Sequence, residues 1–320
     1  MFHSNANHST HVTTRAVIKS FAKVNLFLDV VCKRPDGYHN IETIFQTVSL
    51  ADIMEIELTS AGIEISCNNP EIPTDENNLA YKAAFRLSEA AGYTGGVRIR
   101  IEKSIPAGAG LGGGSSNAAA TLVWLNHLLR AGLSENELRA IAQTLGADVP
   151  FFISGGLAAA WQIGDKIQQL PPLERHFLIL AVPKGITVST REAYSMVSVP
   201  ECGDAMPNEL SECSDRLRAW VAALTAQRAP FPVGNAAVML HNSLEKPVFS
   251  RYPEIANLKT LLLREGAQGA LMSGSGSAVF GLGESLAHAR NLGCSLKESV
   301  PCDCSVHNSV NRGSVMETET

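Results

Sequence analysis

Residues 106–117 read PAGAGLGGGSSN, which places five glycines among seven residues, ahead of two hydroxyl side chains and an amide. Ordering glycine costs more backbone entropy than ordering any other residue, so such a cluster marks a close approach of main chain to something. The preceding residues, GVRIRIEKSIP, alternate apolar and charged side chains and predict a strand. The following residues, SNAAATLVWLNHLLRAG, have apolar side chains at helical spacing. The cluster is therefore predicted to lie at a strand-to-helix turn.

Two common nucleotide-binding motifs are disfavoured at this turn. Gly108, Gly110 and Gly113 have the spacing of the dinucleotide fingerprint. That fingerprint requires a second parallel strand ending in an acid roughly 20 residues further on. Here a second predicted helix follows instead, with Ser134 and Glu137 at the spacing of a capping box. A Walker-type loop does not fit either, because no Gly-Lys-Ser or Gly-Lys-Thr follows the glycines.

A polyphosphate fits the turn better than a dinucleotide. Backbone N–H groups and the positive end of a helix dipole converge at such a helix start, and both favour phosphate. The hydroxyl groups of Ser115 and Ser116 are predicted to reach phosphate oxygens or a water bound to magnesium. The alternative, a glycine-rich helix entry that serves tight packing alone, stays open from these residues.

The composition argues against several classes of function. The chain of 320 residues has a formal net charge of −5, without the basic surplus that binds nucleic acid or an anionic membrane. No apolar run approaches the roughly 18–20 residues of a membrane span, and no apolar secretory stretch lies near residue 1. Seven scattered cysteines predict reduced thiols in a cytoplasmic protein. Cys302, Cys304 and His307 lack the second pair of a zinc site, so no metal site is predicted.

The order of the predicted elements indicates an α+β fold. Several turn-linked strands precede the first helix, so the sheet is expected to be antiparallel or mixed. The first strand, AVIKSFAKVNLFLDVV, is expected to be broken or bulged near Ala22 and Lys23. The expected division is an N-terminal domain over 16–165, a C-terminal domain over 166–300, and disordered tails over 1–15 and 301–320.

Four stretches together resemble the GHMP kinases, the superfamily of galactose, homoserine, mevalonate and phosphomevalonate kinases. The glycine cluster matches their pattern Pro-x-x-x-Gly-Leu-Gly-Ser/Gly-Ser-Ser. The others are AKVNLFLDV with RPDGYHNIETIFQTVSLAD, LGADVPFF, and GALMSGSGSAVFGL, so the resemblance runs from about Ala16 to Leu282. It implies a two-domain fold, with an N-terminal ribosomal-S5-like mixed sheet with helices and a C-terminal ferredoxin-like α+β domain. It also implies phosphoryl transfer from ATP, bound with Mg2+, between the two domains.

Lys23 and Asp148 are the predicted catalytic pair. Asp148 is an acid in an apolar turn, and Lys23 is a lone cation in an apolar strand, where a buried lysine should have a partner. Taken singly, each also fits an ordinary turn acid or a lysine whose charge reaches solvent. The resemblance implies that Asp148 is the general base on the acceptor hydroxyl, and that Lys23 positions it and stabilises charge.

The resemblance assigns the phosphates of ATP to the glycine cluster. The predicted ATP-binding residues are Pro106, Ala107, Gly108, Ala109, Gly110, Leu111, Gly112, Gly113, Gly114, Ser115 and Ser116. A second tight backbone turn, SGSGS at 273–277, is expected to close the site beside this loop without doing chemistry.

Within the superfamily, the sequence is most similar to the branch whose acceptor is a cytidine diphosphate conjugate of methylerythritol. A base binds between aromatic faces and to hydrogen-bonding groups on its pairing edge. The resemblance implies that Tyr38 and Tyr194 sandwich the cytosine while His39 supplies hydrogen bonds. It places Asn25 and Thr190 along the path of the sugar alcohol and diphosphate.

Rival interpretations remain for this end of the site. Read alone, Tyr38 and His39 also fit a polar hairpin turn. Homoserine and mevalonate kinases are the nearest rivals, but their acceptors carry no base for DGYHN to bind. A catalytically silent ligand sensor is the rival of another class, and the presence of Lys23 and Asp148 disfavours it. We expect a small-molecule substrate, no nucleic-acid or membrane partner, and a monomer or weak homodimer.

Overall fold

Two sheets organise the part of the chain that the structure, a computed structural model, describes: residues 14–203, 206–226 and 231–317. The strands are β1 (Arg15–Lys33), β2 (His39–Thr59), β3 (Ile63–Cys67), β4 (Gly96–Glu102), β5 (Leu157–Trp161), β6 (Lys166–Gln169), β7 (Phe177–Pro183), β8 (His241–Asn242), β9 (Ala270–Met272), β10 (Val279–Gly283), β11 (Cys302–Asn308) and β12 (Ser314–Met316). The helices are α1 (Leu79–Ala91), α2 (Gly113–Leu129), α3 (Glu135–Gln143), α4 (Val149–Ser154), α5 (Thr190–Ser195), α6 (Asp215–Thr225), α7 (Val233–Ala237), α8 (Glu245–Arg251), α9 (Pro253–Arg264) and α10 (Leu286–Ser299). Among these residues, no helix combines the length and the apolar character that crossing a bilayer requires.

The larger sheet forms the N-terminal domain. Its strand order is β12-β1-β2-β4-β3, with the β5–β6 hairpin attached to β2 and the short β8 parallel to β1. Helices α1, α2 and α4 contribute Ala83, Leu122 and Phe151 to one buried cluster with Met54 and Ile99 of the sheet. The predicted mixed sheet with helices is confirmed.

The predicted break in the first strand is also confirmed. The pairing of β1 with β2 shifts register between Phe21 and Ala22. Such bulges bend a strand and re-aim the side chains that follow. Just beyond this one, Lys23 lies opposite Thr47 of β2, and both side chains are buried. The irregular part of β1 therefore carries a buried cation into the centre of the molecule.

The smaller sheet forms the C-terminal domain and has the predicted ferredoxin-like arrangement. Its order is β11-β7-β10-β9 with every pair antiparallel, which is 4-1-3-2 in chain order. Leu258 of α9 and Leu292 of α10 belong to a buried cluster with this sheet. Leu180 and Phe280 share another cluster with Val24 of β1, and this second cluster joins the two domains.

The expectation of a disordered tail from residue 301 is wrong for the residues described. Strand β11 is the fourth strand of the smaller sheet and pairs with β7, while β12 pairs with β1. The sequence CDCSVHN conceals this strand because its side chains are largely polar, whereas main-chain pairing stabilises an edge strand. At the other end, β1 already begins at Arg15, and residues 1–13 lie outside the described ranges.

The expected domain boundary at residue 165 cuts a hairpin. Strand β6 pairs with β5 and so belongs to the larger sheet. The first strand of the smaller sheet begins only at Phe177. The change from one sheet to the other therefore falls within 170–176.

Two of the seven cysteines are joined, although the sequence predicted reduced thiols. Cys32 near the end of β1 and Cys202 form a disulfide across a sequence separation of 170 residues. The backbone N–H of Lys33 donates to Pro200 O at 2.9 Å, and that of Cys202 donates to Lys33 O at 2.8 Å. The remaining five cysteines are free thiols. Spacing along the chain could not reveal the pair, because the two sulfur atoms meet only in the folded domain arrangement.

Candidate active site

A cleft of about 1110 Å³ opens between the two domains and contains nearly all of the predicted site residues. One wall is the glycine-rich turn that leads into α2. The lining also includes residues of α5 and of the turn between β9 and β10. Of the residues that the sequence predicted for the site, only Ser116 does not line this cleft.

Lys23 carries its charge in an almost completely dry position. Its side chain is 4% exposed, and Nζ lies 3.6 Å from Asp148 Oδ2. Nζ also donates to Asn25 Oδ1 at 2.7 Å and lies 5.4 Å from the centre of the Phe45 ring. Burial lowers the pKa of Lys23 from its ordinary value of 10.5, and the negative charge of Asp148 opposes that change.

The amide of Asn25 is committed to holding Lys23. Its Nδ2 donates to Thr43 Oγ1 at 2.8 Å, and Thr43 Oγ1 donates in turn to Phe27 O at 2.6 Å. This chain of bonds fixes the orientation of the amide, so its oxygen faces the lysine. Asn25 lines the cleft as predicted, but its polar atoms are engaged within the protein.

Asp148 stands immediately before α4, where its own helix does not use its carboxylate. It occupies the N-cap position with helical backbone angles, and its side chain makes no capping hydrogen bond. The side chain is 30% exposed and faces the cleft. A partly exposed carboxylate beside a buried ammonium is suited to accepting a proton from a bound ligand.

The glycine-rich turn needs most of its glycines for its own conformation. Gly108, Gly110 and Gly112 have φ values of 65°, 77° and 72°, a region that other residues rarely adopt. A Cβ atom on Gly110 would lie 2.1 Å from Ser273 O, and one on Gly113 would lie 2.9 Å from Lys103 Nζ. Tight packing, the alternative that the sequence left open, therefore accounts for part of this pattern.

Gly114 is the member of the cluster that packing does not explain. A Cβ at this position would meet its nearest neighbour, Leu79 Cδ1, at 3.9 Å, which is ordinary contact. Gly114 is exposed in the first turn of α2 and lines the cleft. The helix start thus presents bare backbone to the cleft, as a phosphate group requires.

The two adjacent serines have different surroundings. Ser115 lines the cleft, so its hydroxyl is available to a ligand there. Ser116 is 1% exposed, and its Oγ donates to Phe21 O at 2.7 Å and lies 2.6 Å from Ser20 Oγ. The expectation that Ser116 contacts ATP is wrong for this conformation, because successive helical residues point about 100° apart.

A buried charge network behind the turn was missed from the sequence. Lys103 pairs with Asp52 and donates to Asn117 Oδ1 at 3.1 Å. Asp52 Oδ1 also accepts from the backbone N–H groups of Ser104 and Ile105, each at 2.8 Å. Asp52 and Lys103 are 51 residues apart in sequence, so no local spacing signals their contact. The network fixes the chain at the point where it enters the glycine-rich turn.

Tyr38, His39 and Tyr194, the residues predicted to bind the base, all line the cleft. The ring of Tyr194 lies beside that of His39, with centroids 5.3 Å apart, while Tyr38 is 62% exposed. Burial, with the positive charge of Lys33, lowers the pKa of His39, so this imidazole is neutral at pH 7. Burial, with the charge of Asp148, raises the pKa of Tyr194 above 10, so its hydroxyl keeps its proton.

The turn at 273–277 lies against the glycine-rich turn, as predicted. Ser273 Oγ donates to Gly110 O at 3.0 Å, and the N–H of Ala278 donates to Ala109 O at 3.2 Å. Ser275 Oγ lies 3.2 Å from Thr190 Oγ1, which places Thr190 in the cleft wall. The bonds of Ser273 and Ala278 join the two domains at the floor of the cleft.

Comparison with known proteins gives matches for both halves of the chain. Two family models match: the GHMP kinases N terminal domain over residues 78–156 and the GHMP kinases C terminal domain over residues 230–302. A 4-diphosphocytidyl-2-C-methyl-D-erythritol kinase of Nostoc sp. is 39% identical over 288 residues, covering 88% of this chain and 90% of that protein. A protein of the same name from Acaryochloris marina is 38% identical over 294 residues, covering 89% and 92%.

Solved structures agree with these relatives. A crystal structure of 4-(cytidine 5'-diphospho)-2C-methyl-D-erythritol kinase has a TM-score of 0.72 and 38% identity, covering 92% of this chain and 98% of that chain. A homoserine kinase from Cytophaga hutchinsonii has a TM-score of 0.71 at 20% identity, covering 99% of each chain. The second likeness concerns the fold alone.

The two matched domains, with the cleft between them, define a GHMP kinase, an ATP-dependent enzyme that phosphorylates a small molecule. Overall likeness of fold does not separate the members of this class, but sequence identity over nearly the whole length does. The chain belongs to the family of the 4-diphosphocytidyl-2-C-methyl-D-erythritol kinases.

Proposed function

We propose that this chain transfers the γ-phosphoryl group of ATP to the 2-hydroxyl of 4-diphosphocytidyl-2-C-methyl-D-erythritol. The products are the 2-phosphate and ADP, in the methylerythritol phosphate route to isoprenoid precursors. The observation that carries the proposal is the Lys23–Asp148 pair, 3.6 Å apart, in one cleft with the glycine-rich turn and the His39–Tyr194 cluster. The enzyme is proposed to act in the cytoplasm as a monomer or weak homodimer. Its five free cysteines fit a reducing compartment, whereas the Cys32–Cys202 disulfide is unusual for one.

The two residues of the catalytic pair have different roles: Asp148 is the base, and Lys23 supplies a positive charge. Asp148 accepts the proton of the 2-hydroxyl while that oxygen forms its bond to the γ-phosphorus. The bond from the γ-phosphorus to the β–γ bridging oxygen breaks, and its electron pair leaves with ADP. The ammonium of Lys23 stabilises the negative charge on the transferring group, and its effect is large because the position is dry.

The glycine-rich turn holds the phosphates of ATP in this proposal. Its support is the bare backbone at Gly114, the hydroxyl of Ser115, and the N-terminus of the 17-residue helix α2. The phosphates would lie next to the catalytic pair, because the backbone N–H of Lys23 donates to Leu111 O of the turn at 3.0 Å and Lys23 Nζ is 3.6 Å from Asp148 Oδ2.

Magnesium fits the site as a companion of ATP. Among the described residues, no group of three or more His, Cys, Asp or Glu side chains forms a metal cage. Mg2+ commonly takes one or two protein oxygens and completes its shell with phosphates and water. Ser115 Oγ is the oxygen that would hold it here. When bound, it neutralises charge on the β- and γ-phosphates.

Recognition of the acceptor rests on His39, Tyr194 and Tyr38. A neutral His39 has one donor and one acceptor nitrogen, which suits the pairing edge of cytosine. The adjacent ring of Tyr194 supplies an aromatic face, and exposed Tyr38 lies at the rim. Thr190 and Asn25 also line the cleft, and we assign them to the path of the sugar alcohol and diphosphate.

The test is acceptor-dependent ATP consumption with three acceptors: the cytidylated methylerythritol, homoserine and mevalonate. We expect kcat/KM for the cytidylated acceptor to exceed the others by at least about 10²-fold, because the site's base-binding groups stay unpaired with the smaller acceptors. His39→Ala should reduce that ratio, while the exposed control Glu89→Gln, outside the cleft, should keep it. Turnover of homoserine or mevalonate in preference to the cytidylated acceptor would refute the proposal.

A further inference from the structure

Residues 309–316, here called the C-terminal strap, run from the smaller sheet back to the larger one. They follow β11, the last strand of the smaller sheet, and include β12, which pairs with β1. The strap does not line the cleft, and nothing in the function proposed above uses it. Its hydrogen bonds nevertheless reach both elements that carry the catalytic pair.

On the strand side, the strap binds the residue that lies opposite Lys23. Thr47 of β2 is the cross-strand partner of Lys23. The N–H of Val310 donates to Thr47 O at 3.0 Å, and Thr47 Oγ1 donates to Val310 O at 2.7 Å. Gln46 Nε2 also donates to Val310 O, at 3.0 Å. The strap is therefore bonded to β2 at the level of the catalytic lysine.

On the helix side, Gly313 joins β1 to α4. Its N–H donates to Ser154 O at the end of α4, and its carbonyl accepts from Phe21 N of β1, both at 3.0 Å. A Cβ on Gly313 would lie 1.9 Å from Phe152 O, so only glycine fits there. Phe21 precedes Lys23 by two residues, and α4 begins directly after Asp148. One residue thus bridges the two elements that carry the pair.

Thr47 completes this bridge from its other side. Its Oγ1 accepts from the N–H of Gly156 at 2.9 Å, and Gly156 follows α4 by two residues. The same hydroxyl therefore contacts both the strap and the segment after α4, while its backbone pairs with Lys23. The Thr47 side chain is fully buried.

We propose that the C-terminal strap is a positioning element for phosphoryl transfer, and that the Thr47 hydroxyl is the positioning group that sets Lys23 and Asp148 in register. The inference rests on the function proposed above, because it concerns the pair that carries it. Helix α4 also supports the phosphate turn, since the Phe152 ring would lie 2.9 Å from a Cβ on Gly112. A shift of α4 therefore displaces the base and the phosphate cradle together.

The test compares Thr47→Val with Thr47→Ser. Valine keeps the shape of the side chain and removes the hydroxyl, whereas serine keeps the hydroxyl. We expect kcat of Thr47→Val to fall about tenfold or more, because small misplacements of reacting groups cost large factors in rate. We expect KM for ATP and for the acceptor to stay within about twofold, because Thr47 does not line the cleft. Thr47→Ser should keep kcat within about twofold of the unsubstituted enzyme.

A pair of glycine variants distinguishes a loss of positioning from a loss of stability. Gly313→Ala breaks the bridge, while Gly283→Ala in β10 is also crowded, with Ala289 N 3.0 Å from the new Cβ, but lies outside the cleft. Both should lower the midpoint of thermal unfolding, and only Gly313→Ala should lower kcat. If Gly313→Ala does not fold, the threonine pair alone decides.

The strap proposal is overturned if Thr47→Val keeps kcat, if valine and serine lower it equally, or if KM rises in place of a fall in kcat. These outcomes require only an unsubstituted enzyme that turns over the cytidylated acceptor. An unsubstituted enzyme without that turnover contradicts the proposed function instead. The two failures are therefore distinguishable in one set of assays.

Discussion

Lys23 keeps its charge through a balance of two opposing effects. Burial disfavours the ammonium form and lowers its pKa, while the carboxylate of Asp148 favours that form. The oxygen of Asn25, 2.7 Å away, also binds the ammonium. A neutral lysine would neither attract Asp148 nor stabilise a phosphoryl group. In the proposed mechanism Asp148 therefore has two roles, as the base and as the partner that favours the protonated form of Lys23.

Replacing Asp148 should expose both of these roles. In Asp148→Asn we expect kcat to fall by about 10²- to 10⁴-fold, the usual contribution of a general base, with KM for ATP nearly unchanged. The substitution also removes the charge that raises the pKa of Lys23. Lys23 then loses its proton at lower pH, so the alkaline fall of the residual activity moves to lower pH. Rate profiles against pH for both enzymes measure this, and a move to higher pH would contradict it.

The sequence was sufficient to predict Lys23 and Asp148 as a pair, but not the buried residues that hold the site in place. Lys23 and Asp148 lie in local motifs that can be matched one by one. Ser116 was placed wrongly because two adjacent hydroxyls look alike in sequence, yet the helix turns one of them towards Phe21 O. Asp52 and Lys103 had no local signal at all, since their contact exists only once β2 and β4 lie side by side.

The glycine-rich turn is the element on which both domains depend. Gly110 combines a φ of 77° with a carbonyl, Ser273 O, only 2.1 Å from where a Cβ would be. Glycine is therefore needed at this position both for the left-handed backbone conformation and for the close contact between the two domains. The same atoms that shape the phosphate cradle close the floor of the cleft.

Substitution of Gly110 should cost more than substitution of a glycine with the same backbone conformation in open space. Gly92, at the end of α1, has a φ of 62° and no atom within 4 Å of a new Cβ. We expect Gly92→Ala to cost about 1–2 kcal/mol of unfolding free energy, from the left-handed backbone alone. Gly110→Ala should cost about 3 kcal/mol or more, since overpacking adds to that, and it should raise KM for ATP. Denaturant unfolding and ATP titration measure both, and equal losses for the two variants would contradict the contact.

Elements with a clear apolar period were predictable, and those stabilised by partners far away were not. Helix α3 has the predicted capping box between Ser134 and Glu137. Strand β11 was missed because its pattern is polar and its stabilisation comes from pairing with β7. The change of sheet after β6 was misplaced for the same reason, since only the pairing with β5 assigns that strand.

At the scale of the whole molecule, the Cys32–Cys202 disulfide connects the two sides of the cleft near the residues predicted to bind the acceptor. It joins the end of β1 to the segment that follows α5, and α5 carries Thr190 and Tyr194. Lys33, next to Cys32, lines the cleft and is bonded through its backbone to Pro200 and Cys202. The crosslink therefore restrains the wall that carries α5.

Breaking this crosslink should weaken binding of the acceptor and leave binding of ATP unchanged. We expect Cys202→Ser to lose about 2–4 kcal/mol of stability and to raise KM for the acceptor about threefold or more, with KM for ATP unchanged. A dithiol reductant should do the same to the unsubstituted enzyme. The control Cys294→Ser, at an exposed free thiol, should behave as the unsubstituted enzyme. A reductant effect of equal size in Cys202→Ser would show that another site is responsible.

The bonds from Ser273 and Ala278 to the glycine-rich turn also decide how the molecule can move. They anchor one domain to the other at the phosphate turn. The Cys32–Cys202 disulfide ties β1 to the segment after α5, which gives the cleft a second fixed connection between its walls. Two separate connections resist a hinge rotation of the domains, so the cleft should admit its ligands through movement of side chains and loops.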